Sequence, residues 1–109
     1  MQAIGEDASN PALFTNRSTC LFAMQRYDDS LADAQRAVGL DGQWVKGFYR
    51  IGLTSIKLEK FRQAKEAAEK GLHIEVNNAQ LKDILSQATA ELAKLPSDYK
   101  DAKVVPRVA

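Results

Sequence analysis

The sequence is poor in the residues on which catalysis and cross-linking depend. Its 109 residues include one cysteine and one histidine, and they contain neither a glycine-rich phosphate loop nor a metal-ligand spacing. A single cysteine cannot form an internal disulfide bond, which favours a reducing compartment such as the cytoplasm. The sequence therefore gives little support to an enzyme, predicts no cofactor or metal, and favours a cytoplasmic protein.

The sequence also lacks the features of membrane-spanning, secreted and nucleic-acid-binding proteins. No apolar run approaches the length of a membrane span, and the N-terminus lacks the basic and hydrophobic segments of a signal peptide. The net charge is +1, so the chain has no overall basic field that would attract nucleic acid or an anionic membrane. Apolar residues make up 45% of the chain, which is enough for the modest core of one small domain.

The clearest pattern in the sequence is helical periodicity. Apolar residues recur at helical spacing from residue 11 to residue 95, whereas alternating strand patterns are scarce. Asn10 and Pro11 form an N-cap and first-turn pair, and Asp28 or Asp29 is expected to cap the second helix. The pattern predicts an all-α protein whose helices span about 11–24, 28–40, 43–58, 62–74 and 78–95.

The chain also aligns with itself when it is shifted by 34 residues, which places Phe14 on Phe48. Aromatic and small residues then fall on residues of their own kind, as in the pairs Tyr27 and Phe61, Ala34 and Ala68, and Ala37 and Gly71. Two helices in each period of about 34 residues are the signature of the tetratricopeptide repeat, which builds an α-solenoid of helical hairpins. This repeat register predicts repeats over 11–44 and 45–77, a capping helix over 78–95 and a flexible tail over 96–109.

The same register makes residues 1–10 the remnant of a preceding repeat, and the chain is expected to be a fragment of a longer array. Two repeats and a cap are fewer than the usual minimum of about three. The first helix pair would then have an uncovered apolar face, and we predict that this face forms a homodimer with a second copy, by direct association or by helix swapping.

The first helix of each repeat lines the concave groove of such an array. Lys46 and Arg50 lie one turn apart, about 6 Å along the axis, and Asn16 is the partner of Arg50 in the repeat register. Two cations and an amide at one concave spot are able to hold a pair of carboxylates. The other predicted groove positions are Ala12, Thr15, Thr19, Phe22, Ala23, Tyr49, Leu53, Ile56 and Lys57.

TNRS at 15–18, followed by KGFYR at 46–50, resembles the carboxylate-clamp tetratricopeptide domains of heat-shock organising and stress-inducible proteins. The resemblance covers about residues 10–95. It implies an adaptor that binds the C-terminal Glu-Glu-Val-Asp peptide of cytosolic heat-shock chaperones, with Asn16, Lys46 and Arg50 as clamp residues. In that family the preceding repeat supplies a further lysine and asparagine.

Each of these interpretations has an alternative. Lys46 and Arg50 also fit an ordinary solvated helix face, and the repeats also fit a structural module that mediates oligomerisation or assembly. The predicted peptide subsite contains Thr19, Phe22, Tyr49, Leu53 and Ile56. Of these residues, Phe22, Leu53 and Ile56 also fit core positions, and Tyr49 also fits a packing position. Cys20 is expected to be a buried small hydrophobic residue.

Overall fold

The computed structural model describes residues 9–95, which form five α-helices and no strand. The helices are α1 (Pro11–Ala23), α2 (Tyr27–Leu40), α3 (Val45–Lys57), α4 (Phe61–Ile74) and α5 (Ala79–Ala93). Each helix packs against the next along the chain, and α1 also contacts α3. Two helical hairpins and a terminal helix confirm the predicted all-α fold. The predictions for residues 1–8 and 96–109 lie outside the described residues.

Asparagine side chains begin the first and last helices. Asn10 Oδ1 accepts a hydrogen bond from the backbone N–H of Ala12 at 2.9 Å, and Asn78 Oδ1 accepts one from Leu81 at 3.0 Å. Both caps satisfy N–H groups that have no partner within the helix. The capping prediction for Asp28 or Asp29 was wrong. Helix α2 begins at Tyr27, and both aspartates lie within its first turn. The side chain of the N-cap residue, Arg26, makes no capping hydrogen bond and pairs with Asp29 instead.

The turn inside each hairpin repeats with the period of the sequence. Gln25 and Glu59, which are equivalent in the repeat register, are the non-glycine residues with positive φ in the described chain, at 63° and 59°. In each turn, the residue that follows the positive-φ residue donates its N–H to the carbonyl five positions earlier, at 2.9 Å for Arg26 and 2.8 Å for Lys60. This is the Schellman ending of a helix. The two hairpins are therefore closed in the same way.

Small residues allow the helices to approach closely at the positions where the register predicted them. Ala34, Ala37, Ala64 and Ala68 are fully buried. A Cβ atom added to Gly71 would lie 2.5 Å from Cδ1 of Leu81, so α4 and α5 have no room for a larger residue there. The two hairpins meet around Leu31, Ala34, Phe48, Ile51 and Ala67, whereas α5 closes the second hairpin around Ala64, Ala68, Ile84 and Ala88.

Polar side chains connect the helices of the first hairpin. Arg17 donates two hydrogen bonds to Asp33, from Nε to Oδ2 at 2.6 Å and from Nη2 to Oδ1 at 2.7 Å. This carboxylate raises the pKa of Arg17 by hydrogen bonding, although burial opposes the effect. The buried hydroxyls of Ser18 and Ser30 each donate to the other residue's carbonyl, at 2.8 and 2.7 Å. These bonds hold α1 and α2 in one orientation.

Candidate carboxylate-binding site

The three predicted clamp residues lie on α1 and α3, which are the first helices of the two hairpins. Asn16 is exposed on α1, while Lys46 is exposed and Arg50 half-buried on α3. Helices α1 and α3 contact each other directly. No hydrogen bond or ion pair joins the three side chains to one another within the described residues, so all three retain donors for a ligand.

Arg50 differs from the other two because its charge is partly removed from water. Its Nε and Nη2 atoms are buried and have no hydrogen-bond partner. Burial lowers the pKa of Arg50, but an arginine side chain remains protonated near neutral pH. A buried donor without a partner costs about 1–3 kcal/mol, and more when it is charged. The folded chain thus contains a guanidinium that lacks an acceptor.

Arg17 shows which acceptor would suit this group. Its Nε and Nη2 atoms bind the two oxygens of the Asp33 carboxylate side by side. In Arg50 the same two nitrogens form the buried edge without a partner. Paired N–H donors at this edge match a single carboxylate in a forked arrangement. Arg50 therefore has the same pair of donors as Arg17 but no carboxylate partner among the described residues.

Two aromatic rings contact the Arg50 guanidinium. Its Cζ atom lies 4.9 Å from the ring centroid of Phe22 and 5.7 Å from that of Tyr49. Both distances fall within the range of cation–π attraction. The Phe22 ring also meets Tyr27 edge-to-face, with centroids 5.1 Å apart and an interplanar angle of 69°. The sequence placed Phe22 and Tyr49 near the groove but did not reveal their contact with Arg50.

The other residues of the predicted peptide subsite have mixed environments. Thr19 is exposed on α1, and its hydroxyl donates to the carbonyl of Thr15 at 2.9 Å. Tyr49, Leu53 and Ile56 are half-buried and pack against the core cluster that joins the second hairpin to α5. A role for these residues in binding a peptide side chain stays a prediction.

Two further expectations for α1 were wrong. Thr15, expected in the groove, is 5% exposed, and its hydroxyl lies 3.4 Å from the indole Nε1 of Trp44, which donates to it. Cys20, expected to be buried, is exposed. Cys20 lies one turn from Asn16 on the same side of α1. The exposed stripe of α1 therefore contains Asn16, Thr19, Cys20 and Ala23.

Surface hollows elsewhere suit an anionic ligand less well. One lies on α4 and is lined by Glu66, Glu69, Lys70 and His73. Its two glutamates would repel a carboxylate, and none of its side chains has a buried polar atom without a partner. The described residues also contain no cluster of acidic, histidine or cysteine side chains able to hold a metal ion. Arg50 consequently marks the better candidate site.

Comparison with known proteins now identifies the fold family. No family model matches the chain. The structure resembles the second TPR domain of human RPAP3, in complex with the HSP70 peptide SGPTIEEVD, with a TM-score of 0.77 and 32% sequence identity. The match covers 81% of this chain and 73% of that domain. The chain belongs to the tetratricopeptide-repeat family.

This tetratricopeptide-repeat domain has similar structural and sequence relatives. The first TPR domain of Spaghetti (RPAP3), bound to the HSP90 peptide SRMEEVD, has a TM-score of 0.82 and 29% identity over 84% of this chain and 73% of that one. The Hsp70-Hsp90 organizing protein of Triticum aestivum is 38% identical over 104 residues, or 92% of this chain. The chain spans only 18% of that relative's length. Within residues 9–95, no helix has the length and hydropathy needed to cross a membrane.

Proposed function

We propose that this tetratricopeptide-repeat domain is a co-chaperone adaptor that binds the acidic C-terminal peptide of heat-shock chaperones. The observation that carries the proposal is the buried edge of Arg50, where Nε and Nη2 lack an acceptor. A peptide C-terminus that ends in aspartate offers two carboxylates close together. One of them satisfies the forked donors of Arg50, and the free energy lost by burying the unpaired charge is then recovered.

Lys46 and Asn16 complete the clamp in this proposal. Lys46 lies one turn before Arg50 on α3 and contributes a point charge with three donors. Asn16 is exposed on the neighbouring helix α1 and contributes an amide N–H. The repulsion between Lys46 and Arg50 falls when an anion lies between them. The cationic pair is thereby favourable in the complex, although it is unfavourable in the free domain.

The bound peptides of the two RPAP3 domains support this choice of ligand. SRMEEVD and SGPTIEEVD differ in length and in their first residues but share the ending Glu-Glu-Val-Asp. A site that recognises terminal carboxylates requires only this shared end. The relative from Triticum aestivum is named for organising Hsp70 and Hsp90. We accordingly assign the domain a non-catalytic adaptor role in the cytoplasm that needs no cofactor.

A peptide pair that differs only at its terminal carboxylate tests the proposal. We expect SRMEEVD with a free C-terminus to bind the 109-residue chain at least about tenfold more tightly than the same peptide with a C-terminal amide. The lost charge-assisted hydrogen bonds account for this factor, since they contribute about 1.5–3 kcal/mol. Isothermal titration calorimetry measures both affinities. Equal affinities, or no binding of either peptide, would instead favour a structural module that assembles through other surfaces.

The predicted homodimer stays a prediction. The second hairpin packs Phe48, Ile51 and Ala67 against the first hairpin. The corresponding face of the first hairpin contains Phe14 and the Arg17–Asp33 ion pair instead. Phe14 is only 5% exposed, and the Cζ atoms of Arg17 and Arg36 each lie 5.9 Å from its ring centroid.

If two copies pair through this face, the arginines of both copies come close together. Salt screens such repulsion, so we expect the dimer fraction to rise with ionic strength. Light scattering over a concentration series at low and high salt measures it. A monomeric mass at the highest protein concentration in both buffers would contradict the prediction.

A further inference from the structure

We propose that Phe22 is a positioning residue for Arg50: its ring holds the guanidinium in place before the carboxylate ligand binds. Tyr27 in turn fixes the orientation of the Phe22 ring. This inference rests on the proposed carboxylate binding at Arg50, and it assigns to α1 and α2 a part in preparing a donor that belongs to α3.

The contacts form a continuous path across three helices. Tyr27, the first residue of α2, meets the Phe22 ring on α1 edge-to-face at 5.1 Å, and that ring lies 4.9 Å from Cζ of Arg50 on α3. An unrestrained arginine side chain loses considerable rotamer freedom when it binds. A ring that already holds the guanidinium reduces this loss, since the side chain is ordered before the ligand arrives.

The repeat itself indicates that the turn does not require an aromatic residue here. In the repeat register, Phe22 corresponds to Ile56 of the second hairpin. Both residues accept the hydrogen bond of the turn that follows, from Gln25 at 2.9 Å and from Glu59 at 3.0 Å. An aliphatic side chain therefore closes the same turn equally well. What Phe22 adds at this position is an aromatic face, and Arg50 occupies that face.

This equivalence supplies a matched substitution. Phe22→Ile introduces the residue that the second hairpin uses and removes the aromatic face, whereas Phe22→Tyr retains it. We expect Phe22→Ile to weaken binding of the free-carboxylate peptide SRMEEVD roughly 3- to 30-fold, because the gain from ordering Arg50 before binding is limited by the free energy of the cation–π contact that orders it. Phe22→Tyr is expected to recover most of that loss. Calorimetry measures both variants beside the unaltered chain.

A double-mutant cycle separates positioning from direct contact with the peptide. If Phe22 acts through Arg50, then Phe22→Ile has little further effect in a chain that already carries Arg50→Ala. An equal loss in both backgrounds overturns the inference, because it would mean that Phe22 binds the peptide independently of Arg50. Unchanged affinity of Phe22→Ile in the otherwise unaltered chain overturns it as well, while leaving the proposed function in place.

A measurement without peptide keeps the inference testable if carboxylate binding fails. Protons held over an aromatic face resonate upfield, so we expect upfield-shifted side-chain protons of Arg50 in the unaltered chain. Phe22→Ile should return these NMR signals toward ordinary arginine positions, while the signals of Arg17, which is paired with Asp33, stay unchanged. Arg50 signals that do not respond to Phe22→Ile would overturn the inference.

Discussion

Arg50→Ala is expected to weaken binding of a peptide with a free terminal carboxylate by about 1.5–3 kcal/mol, or roughly 10- to 150-fold in Kd. The reason is that two buried guanidinium donors, Nε and Nη2, have no partner in the free domain and gain one in the complex. Folding should be little affected, because the substitution removes two unpaired buried donors together with two cation–π contacts, and these changes have opposite effects on stability. Calorimetry measures the affinity, and thermal unfolding measures the stability.

Two other arginine variants give this result its controls. Arg50→Lys keeps the positive charge but loses the forked donors, so we expect an affinity between those of Arg50 and Arg50→Ala. Arg36→Ala removes an exposed cation that lies over Phe14 on the first hairpin and should leave peptide affinity unchanged. A large drop in Tm for Arg50→Ala would show that Arg50 is structural rather than a ligand-binding residue.

Leu81→Ala is expected to reduce the free energy of unfolding by about 2–5 kcal/mol. Leu81 is 0% exposed on α5, and its side chain fills the space left by Gly71 on α4. Truncation leaves a cavity at the junction where α5 covers the second hairpin. A domain of this size has few contacts in reserve, so the loss should be evident in a urea titration followed by circular dichroism.

The matched control for this variant is a leucine that is exposed to solvent in the folded domain. Leu40, at the end of α2, is 46% exposed, and Leu40→Ala should change stability by less than about 1 kcal/mol. Similar losses for Leu40→Ala and Leu81→Ala would contradict the role assigned to α5 as the helix that closes the array.

Much of the fold follows from features that are local in the sequence. Asn10 and Asn78 cap their helices because an amide oxygen reaches the N–H groups of its own first turn. The repeat register predicts which positions are small, and Ala34, Ala68 and Gly71 do lie where helices approach one another. Helical spacing also brought Lys46 and Arg50 to one side of α3. These features depend on neighbours at most one turn away or on the repeat itself.

The features that could not be predicted from the sequence depend on contacts between helices. Cys20 is followed in the sequence by four apolar residues, at 21–24, yet the rotation of α1 against α2 and α3 leaves it exposed. Asp28 and Asp29 resemble caps, but the turn around Gln25 starts α2 at Tyr27. The contact between Phe22 and Arg50 joins two helices that are separated in the sequence by the whole of α2. No local pattern reveals it, because it depends on how the hairpins pack.

The most direct test of carboxylate binding follows the Nε–H proton of Arg50 by NMR during a titration with SRMEEVD. We predict a downfield shift and slower exchange with water as a carboxylate accepts the bond, approaching the behaviour of Arg17 Nε–H, which already donates to Asp33 at 2.6 Å. The amidated peptide should produce a smaller change at equal concentration. If the Arg50 signal stays where it was while other signals of the domain report saturation, the peptide binds elsewhere and the clamp assignment is contradicted.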